Sequence, residues 1–358
     1  MSETRENLPL QRLNTQSGFG KTEDQKNVAD PSFKIGENIG GYRLTRFIAR
    51  GGMGEVYEAR QAQPDRRVAI KLVSPERLED LRRKDRFFKE IRVSSQVQHP
   101  NLVTFFDAGV DRGIPYLVME FVEGDNLQNL VHTSGPLPEN RALRIAAHVA
   151  RPLATAWDER QILHRDIKPD NILFDIRDGR IRLTDFGLGT IENESGDLTF
   201  THLLIGSPDF MSPEQAADPT DLDQRSDMYA LGCTLYFLLT GMPPFSRTDV
   251  AAVLRAHQTE TFPDPRVGNP EISEACWRLL QGMTAKARAA RYRTWQPLLD
   301  DLHDVRKGRM PSRWNAQQRG NEGHSLAQNS AEKMASIKNP PWRRLLRGLS
   351  GRGGGGDR

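Results

Sequence analysis

Cysteine is almost absent. Cys233 and Cys276 are the two in 358 residues, too few for a disulfide framework, and neither is flanked by a His or a basic cluster that would activate a thiol. Both read as small buried hydrophobes of a protein in a reducing, cytoplasmic compartment. Long apolar runs are missing as well. The longest, Met228 to Leu239, is interrupted by Gly232 and falls short of the roughly 20 residues a bilayer demands, so no transmembrane helix is expected. No fixed period of roughly 20 to 50 residues recurs, which excludes repeat architectures. Met1 to Asp30 has no apolar block behind its few charges, so neither a secretory nor a lipidation signal is expected.

Net charge is small, +3, but unevenly placed. Residues 307–358 hold eleven Lys or Arg against three acids, a local balance of +8, which leaves −5 for residues 1–306. Basicity belongs to the tail. Within it, Trp342, Leu345, Leu346 and Leu349 fall at i, i+3, i+4 and i+7 with Arg343, Arg344 and Arg347 between them. That spacing suits an amphipathic segment over 341–351 that docks on an anionic membrane, giving peripheral membrane association, on nucleic acid or on the folded part of the chain itself, beside the plainer reading of a solvated basic tail.

Hydrophobic residues make up 37% of the chain, enough for a packed core. Residues 1–41 are polar and aperiodic and read as a disordered leader. From Tyr42 the pattern changes. Tyr42 to Arg50, Glu55 to Gln61 and Arg67 to Val73 read as strands separated by turn residues, Leu81 to Gln98 as a helix, and Leu102 to Phe106 and Tyr116 to Val122 as two further strands. After Gly124 the periodicity is helical. Glu139 to Arg160 carries an apolar stripe with Pro152 inside it, where a bend or a lost hydrogen bond is expected. Asp227 to Thr240 is apolar on nearly every side and closed by Gly241 and Pro243, as befits a helix at the centre of a lobe. Ile272 to Gly282 and Trp295 to Val305 are amphipathic. The expected fold is α+β and two-lobed, with a β-rich N-lobe over 42–122, an α-helical C-lobe over 123–306 and a mostly disordered tail over 307–358.

Three features carry chemistry. Ala49-Arg50-Gly51-Gly52-Met53-Gly54-Glu55-Val56 is a turn lean enough in side chains for backbone N–H groups to approach phosphate, although most Gly-rich hairpins are only hairpins. Lys71 sits in the apolar strand Val68-Ala69-Ile70-Lys71, and Glu90 on the following helix offers a counter-charge. His164-Arg165-Asp166-Ile167-Lys168-Pro169-Asp170-Asn171 is followed, fourteen residues after Asn171, by Asp185-Phe186-Gly187.

With those residues in view, 42–305 resembles the eukaryotic-type (Hanks-type) protein kinase family, and Gly51-Gly52-Met53-Gly54-Glu55-Val56-Tyr57 is similar to its bacterial Ser/Thr branch. The resemblance implies transfer of the γ-phosphate of ATP to Ser/Thr hydroxyls of protein substrates in a signalling role, with Mg²⁺, or Mn²⁺ in its place. It implies that Asp166 orients the substrate hydroxyl and accepts its proton, and that Lys168 steadies the γ-phosphate. Asn171 and Asp185 hold the metal ions, while Lys71, fixed by Glu90, holds the α- and β-phosphates. Met119 occupies the gatekeeper position. The backbone of Glu120 to Val122 meets the adenine edge, and Val56, Ala69 and Leu173 sandwich the base, each equally at home as ordinary core. No nucleic acid is implied as a partner of the catalytic domain.

Gly206 to Glu214 resembles the end of an activation segment, with Asp227 and Arg291 at the family's structural Asp and the Arg that pairs with Glu214. Lys168 with Ser207 matches the Ser/Thr pattern. Arg165 implies a receiver for a phosphate placed at Thr199 or Thr201, the acceptors favoured over Thr190 and Ser195. Three residues depart from the pattern: Ala49 for the first glycine, Ser207 for the usual Thr, and Ser212 for an Ala. Ala49 would strain the loop if its φ were positive. It is the one feature favouring a rival reading, a pseudokinase scaffold; a third, a small-molecule phosphotransferase, would lack the segment 206–214.

Overall fold

The structure, a computed structural model, describes residues 32–51, 54–74, 88–89, 91–186, 208–218 and 220–314. In the N-lobe, β1 (Asn38–Ile39), β2 (Tyr42–Gly51), β3 (Gly54–Gln61), β4 (Arg66–Val73), β5 (Phe105–Asp111) and β6 (Ile114–Glu120) form one sheet in the order β1-β2-β3-β4-β6-β5. All its pairings are antiparallel. Strand residues alternate between faces, and this separates two cores. Val68, Ile70 and Leu72 of β4 join Tyr57, Tyr116 and Val118 on one side, with Ile39 and Tyr42. Ala69 and Val73 join Leu117, Met119, Val103 and Ile91 on the other. Lys71 lies between Ala69 and Val73 in β4 and so projects from this second face.

The lobe begins ahead of residue 42. Ile39 is fully buried, and Ser32 Oγ donates to Glu55 Oε1 at 2.9 Å, so residues 32–41 are part of the folded lobe and not of a disordered leader. β5 also sits later than the apolar run 102–106 suggests. Leu102 bridges to Leu183 in the other lobe, and the strand proper is a half-exposed edge containing Asp107, Gly109 and Asp111. Of the helix expected over 81–98, residues 88–89 and 91–94 are helical among those described.

The C-lobe contains α1 (Leu127–Ser134), α2 (Glu139–Arg160), a small sheet of β7 (Gly124–Asn126), β8 (Ile172–Asp175) and β9 (Ile181–Leu183), then α3 (Pro213–Ala217), α4 (Gln224–Thr240), α5 (Val250–Thr259), α6 (Glu274–Met283) and α7 (Trp295–Arg306). α4 is the hub. It packs against α2 and α6, and fourteen of its seventeen residues are buried, as an all-round apolar helix must be. Asp223 caps its first turn and Gly241, at φ 80°, ends it in the left-handed conformation. α2 runs unbroken through the buried Pro152. No helix among the described residues is long and apolar enough to cross a membrane.

Candidate active site

The loop between α2 and β8 is held by its backbone. Asp227, buried in the first turn of α4, accepts from the N–H groups of His164 at 2.8 Å and Arg165 at 2.9 Å. His164 Nδ1 accepts from Asp166 N–H at 3.2 Å, leaving Nε2 to donate to Thr184 O at 2.9 Å. These two bonds set the imidazole tautomer and tie the residue at 166 to the stretch before Asp185. Phe186 packs edge-on to His164 at 5.5 Å. Arg165 and Asp185 adopt left-handed backbone, φ 67° and 59°, a conformation uncommon for non-glycine residues that persists where surrounding contacts enforce it.

The side chains so placed converge. Lys168 Nζ lies 2.9 Å from Asp166 Oδ2, and Asn171 Nδ2 donates to the same oxygen at 2.9 Å and to Asp166 O at 2.8 Å. Burial pushes the Asp166 carboxyl up, but the Lys168 charge and hydrogen bond, helped by His164 and Asn171, win and hold it below the usual range. Lys168 shows the mirror image: burial lowers it, and Asp166 raises it by more. Because the Asn171 amide nitrogen is spent on Asp166, its carbonyl oxygen is the atom left for a cation.

Across the cleft, Lys71 Nζ of β4 meets Asp185 Oδ2 at 2.9 Å, an ion pair between the lobes. Val56, Val122 and Leu173 pack half-buried on the cluster that holds Ala69 and Met119, so the five apolar positions expected around a base share one surface. Glu120 N–H is used on Thr104 O at 2.8 Å and its carboxylate lies 3.3 Å from Arg182 Nε. Arg177 Nη2 donates to Phe121 O at 3.3 Å. Val122 is therefore the linker residue whose backbone groups carry no bond among the described residues.

In the glycine-rich hairpin, Ala49 pairs with Val56 inside β2 and is not in the left-handed region, so its methyl is unstrained. Arg50 and Gly51 face Glu55 and Gly54. Gly54, at φ 142°, is required, since a Cβ there would lie 1.9 Å from Leu72 O. Arg50 and Glu55 form an ion pair at the base of the hairpin, with Tyr57 Oη donating to Glu55 Oε2 at 2.5 Å. Gly52, Met53 and Glu90 lie outside the described residues, as do Gly206, Ser207 and the hydroxyls at 190, 195, 199 and 201. The tail segment 341–351 lies outside them too.

Past that gap, Ser212 is buried and caps α3. Its Oγ accepts from Gln215 N–H at 3.3 Å while Gln215 Oε1 accepts from Ser212 N–H at 3.1 Å, a reciprocal capping box. The Gln215 amide then donates to Arg165 O at 2.9 Å. Arg291 clamps Glu214 with two bonds, 2.6 and 2.8 Å. Nε and Nη1 of Arg165 are buried without a partner among the described residues. Gln215, Thr184 and Asn101, whose Nδ2 donates to Ile181 O at 2.7 Å, escaped the sequence reading. They act on backbone groups, which leave no motif.

No group of three or more His, Cys, Asp and Glu among the described residues forms a metal cage. Asn171 and Asp185 suit a hard cation of the Mg²⁺ kind, which takes one or two protein oxygens and completes its shell with phosphate and water.

Comparison with known proteins shows the family. The profile of the protein kinase domain matches residues 42–301. The chain is 37% identical over 269 residues to the serine/threonine-protein kinase PrkC of Bacillus subtilis, covering 75% of this chain and 41% of that one. It is 35% identical over 277 residues to pkn3 of Myxococcus xanthus, at 75% and 50%, and 34% identical over 275 residues to PknB of Mycolicibacterium smegmatis, at 75% and 44%. The chain thus spans half or less of the length of these relatives. Among solved structures, the kinase domain of Mycobacterium tuberculosis PknI is similar, with a TM-score of 0.62 and 27% identity over 76% of this chain and 99% of that one.

Proposed function

The chain belongs to the protein kinase domain family, and on that premise we propose that it transfers the γ-phosphate of ATP to serine and threonine hydroxyls of protein substrates. The observation that carries this reading is the convergence of Asp166, Lys168 and Asn171 opposite an interlobe Lys71–Asp185 pair. Phosphoryl transfer asks a protein mainly for alignment and charge. In this reading Asp166, held ionised, orients the attacking hydroxyl and takes its proton. Lys168, 2.9 Å away, steadies the γ-phosphate. Lys71, with Glu90 as its further partner, turns from Asp185 to the α- and β-phosphates. The hairpin from Ala49 to Gly54, including Gly52 and Met53, covers the phosphates. Val56, Ala69, Met119 and Leu173 enclose the adenine, and the backbone at Glu120 and Val122 meets its edge. Asn171 and Asp185 would hold Mg²⁺, or Mn²⁺, which when bound neutralises the charge that develops on the phosphate oxygens.

Ala49, the feature favouring a pseudokinase scaffold, is unstrained in β2, so that reading loses its support. Arg165, whose Nε and Nη1 are buried without a partner among the described residues, supports autophosphorylation at Thr199 or Thr201, since a phosphate there would supply acceptors. Two free, buried cysteines support a cytoplasmic setting. Contacts of the basic tail with anionic membrane or nucleic acid rest on its sequence alone.

The test is transfer of labelled γ-phosphate from MgATP to a generic basic protein, with Asp166→Asn alongside. The variant should lose about 10²–10⁴-fold in kcat while binding ATP within a few-fold. Equal rates for both proteins would overturn the assignment.

A further inference from the structure

One face of α2 carries Arg141, Arg144, His148 and Arg151, at i, i+3, i+7 and i+10. At about 100° per residue these four fall within roughly 80° of arc, and at 1.5 Å per residue they span about 15 Å. Arg141, Arg144 and His148 border a pocket floored by Leu127 of α1, Ile145 of α2 and Ile181 of β9. Phe174 of β8 forms one wall and Gly179 of the β8–β9 turn another. Leu173 of β8 belongs to the cleft cluster, and its neighbour Phe174 points the opposite way. The pocket therefore lies behind the candidate active site and is no part of it.

These side chains lack counter-charges among the described residues. Neither Arg141, Arg144, His148 nor Arg151 makes a side-chain ion pair or hydrogen bond with a described residue. The acids of the facing turn are already engaged: Asp175 by Arg177 and Arg182, Asp178 by Arg180 and Arg182. Burial and neighbouring Arg144 hold Arg141 below the usual guanidinium range. Burial, then Arg151, Arg144, Arg306 and His99, bring His148 down to about 4. No carboxylate offsets either. Arg141 and Arg144, like charges part-buried on one helix face, cost free energy unless an anion joins them. Ile176, in the turn that also holds Gly179, is 64% exposed.

We propose that this pocket docks an acidic peptide segment of a partner protein, its carboxylates meeting Arg141, Arg144 and Arg151 and an apolar side chain entering between Leu127 and Phe174. Length and floor select that occupant. A stripe of about 15 Å matches about five residues of extended peptide, whereas a single oxyanion reaches one helical turn. A concave apolar floor suits a Leu or Ile side chain better than a sugar or a lipid headgroup. The docking is independent of phosphoryl transfer, so it stands or falls by binding.

The experiment titrates the full chain into a fluorescein-labelled Glu-Asp-Leu-Glu-Glu-Leu-Asp peptide and follows anisotropy at low and high salt. Arg141→Glu combined with Arg144→Glu should weaken binding about tenfold or more, and salt should weaken the parent likewise. Arg43→Glu, an exposed charge reversal in the other lobe, should change binding less than twofold, which separates the pocket from bulk charge and from the basic tail. Unchanged thermal unfolding and unchanged activity on a generic substrate would show the double variant folded. The proposal is overturned if the double variant binds the peptide as the parent does or weakens no more than Arg43→Glu. It is equally overturned if the pocket charges govern binding of single-stranded oligonucleotide or phosphatidylserine vesicles while the peptide does not bind.

Discussion

At Asp166 two opposing effects meet, and their balance can be measured. Burial favours the protonated acid, while Lys168 at 2.9 Å favours the carboxylate and prevails. Lys168→Met removes the dominant stabiliser of the charge and leaves the burial, so the carboxyl must rise. The acid limb of kcat/KM should then move to higher pH by about 1–3 units, and an unmoved limb would mean that Asp166 is not the titrating group. A second residue-level balance lies at Glu214. Burial raises it, but the hydrogen bonds and charge of Arg291 hold it low. A folded-state value below the unfolded one gives stability that is complete above the unfolded value and lost as pH falls through the folded one. Arg291, fully buried, therefore should not be removable without penalty. Arg291→Ala should cost about 3–5 kcal/mol at neutral pH, read by urea unfolding. The deficit should shrink on acidification, as Glu214 takes a proton; a deficit constant with pH would assign the loss to packing alone.

Elements differ in how openly the sequence declares them. β2, β3 and β4 were legible because glycines and Pro64-Asp65 punctuate β-branched runs, and α4 because an all-round apolar stretch of helical length has no place but a core. The sheet β7-β8-β9 was not, since strands of three or four residues are too short to show a period. α1 and α5 escaped for a similar reason, being eight and ten residues long. In the site, Asp166, Asn171, Lys71 and Asp185 were named through the resemblance of their motifs, and the structure brings Asp166 to Lys168 and Asn171, and Lys71 to Asp185. Ser212 was read as a departure, and its purpose emerged only from the geometry of α3. There it serves as a cap, and through Gln215 that cap reaches Arg165 O. Ser212→Ala should lower stability by about 0.5–2 kcal/mol and, on the proposed function, affect kcat more than KM for ATP, because α3 reaches the loop between α2 and β8 at Arg165 O. An equal loss in both would place the cap's effect elsewhere.

Across the whole molecule, contacts among the described residues join the lobes on both sides of the candidate site. The linker after β6 is braced from the C-lobe by Arg182 on Glu120 and Arg177 on Phe121 O. On the other side of the cleft, the stretch from Asn101 to Val103 is stitched to β9. Leu183 N–H donates to Asn101 O at 2.8 Å, Val103 N–H to Leu183 O at 2.9 Å, and Asn101 Nδ2 to Ile181 O at 2.7 Å. β9 ends two residues before Asp185, so this seam sets where the interlobe carboxylate stands relative to Lys71. Asn101 is 8% exposed, and its amide cannot be traded for water. Asn101→Leu keeps much of the volume but strands the Ile181 carbonyl, at a cost of about 1–3 kcal/mol. If the seam only added stability, thermal unfolding would fall and kinetics would hold. Because the seam fixes Asp185, KM for ATP should rise several-fold as well, at temperatures where the variant is fully folded. A lowered melting temperature with an unchanged KM would detach the seam from the nucleotide site and leave the placement of Asp185 to its ion pair with Lys71.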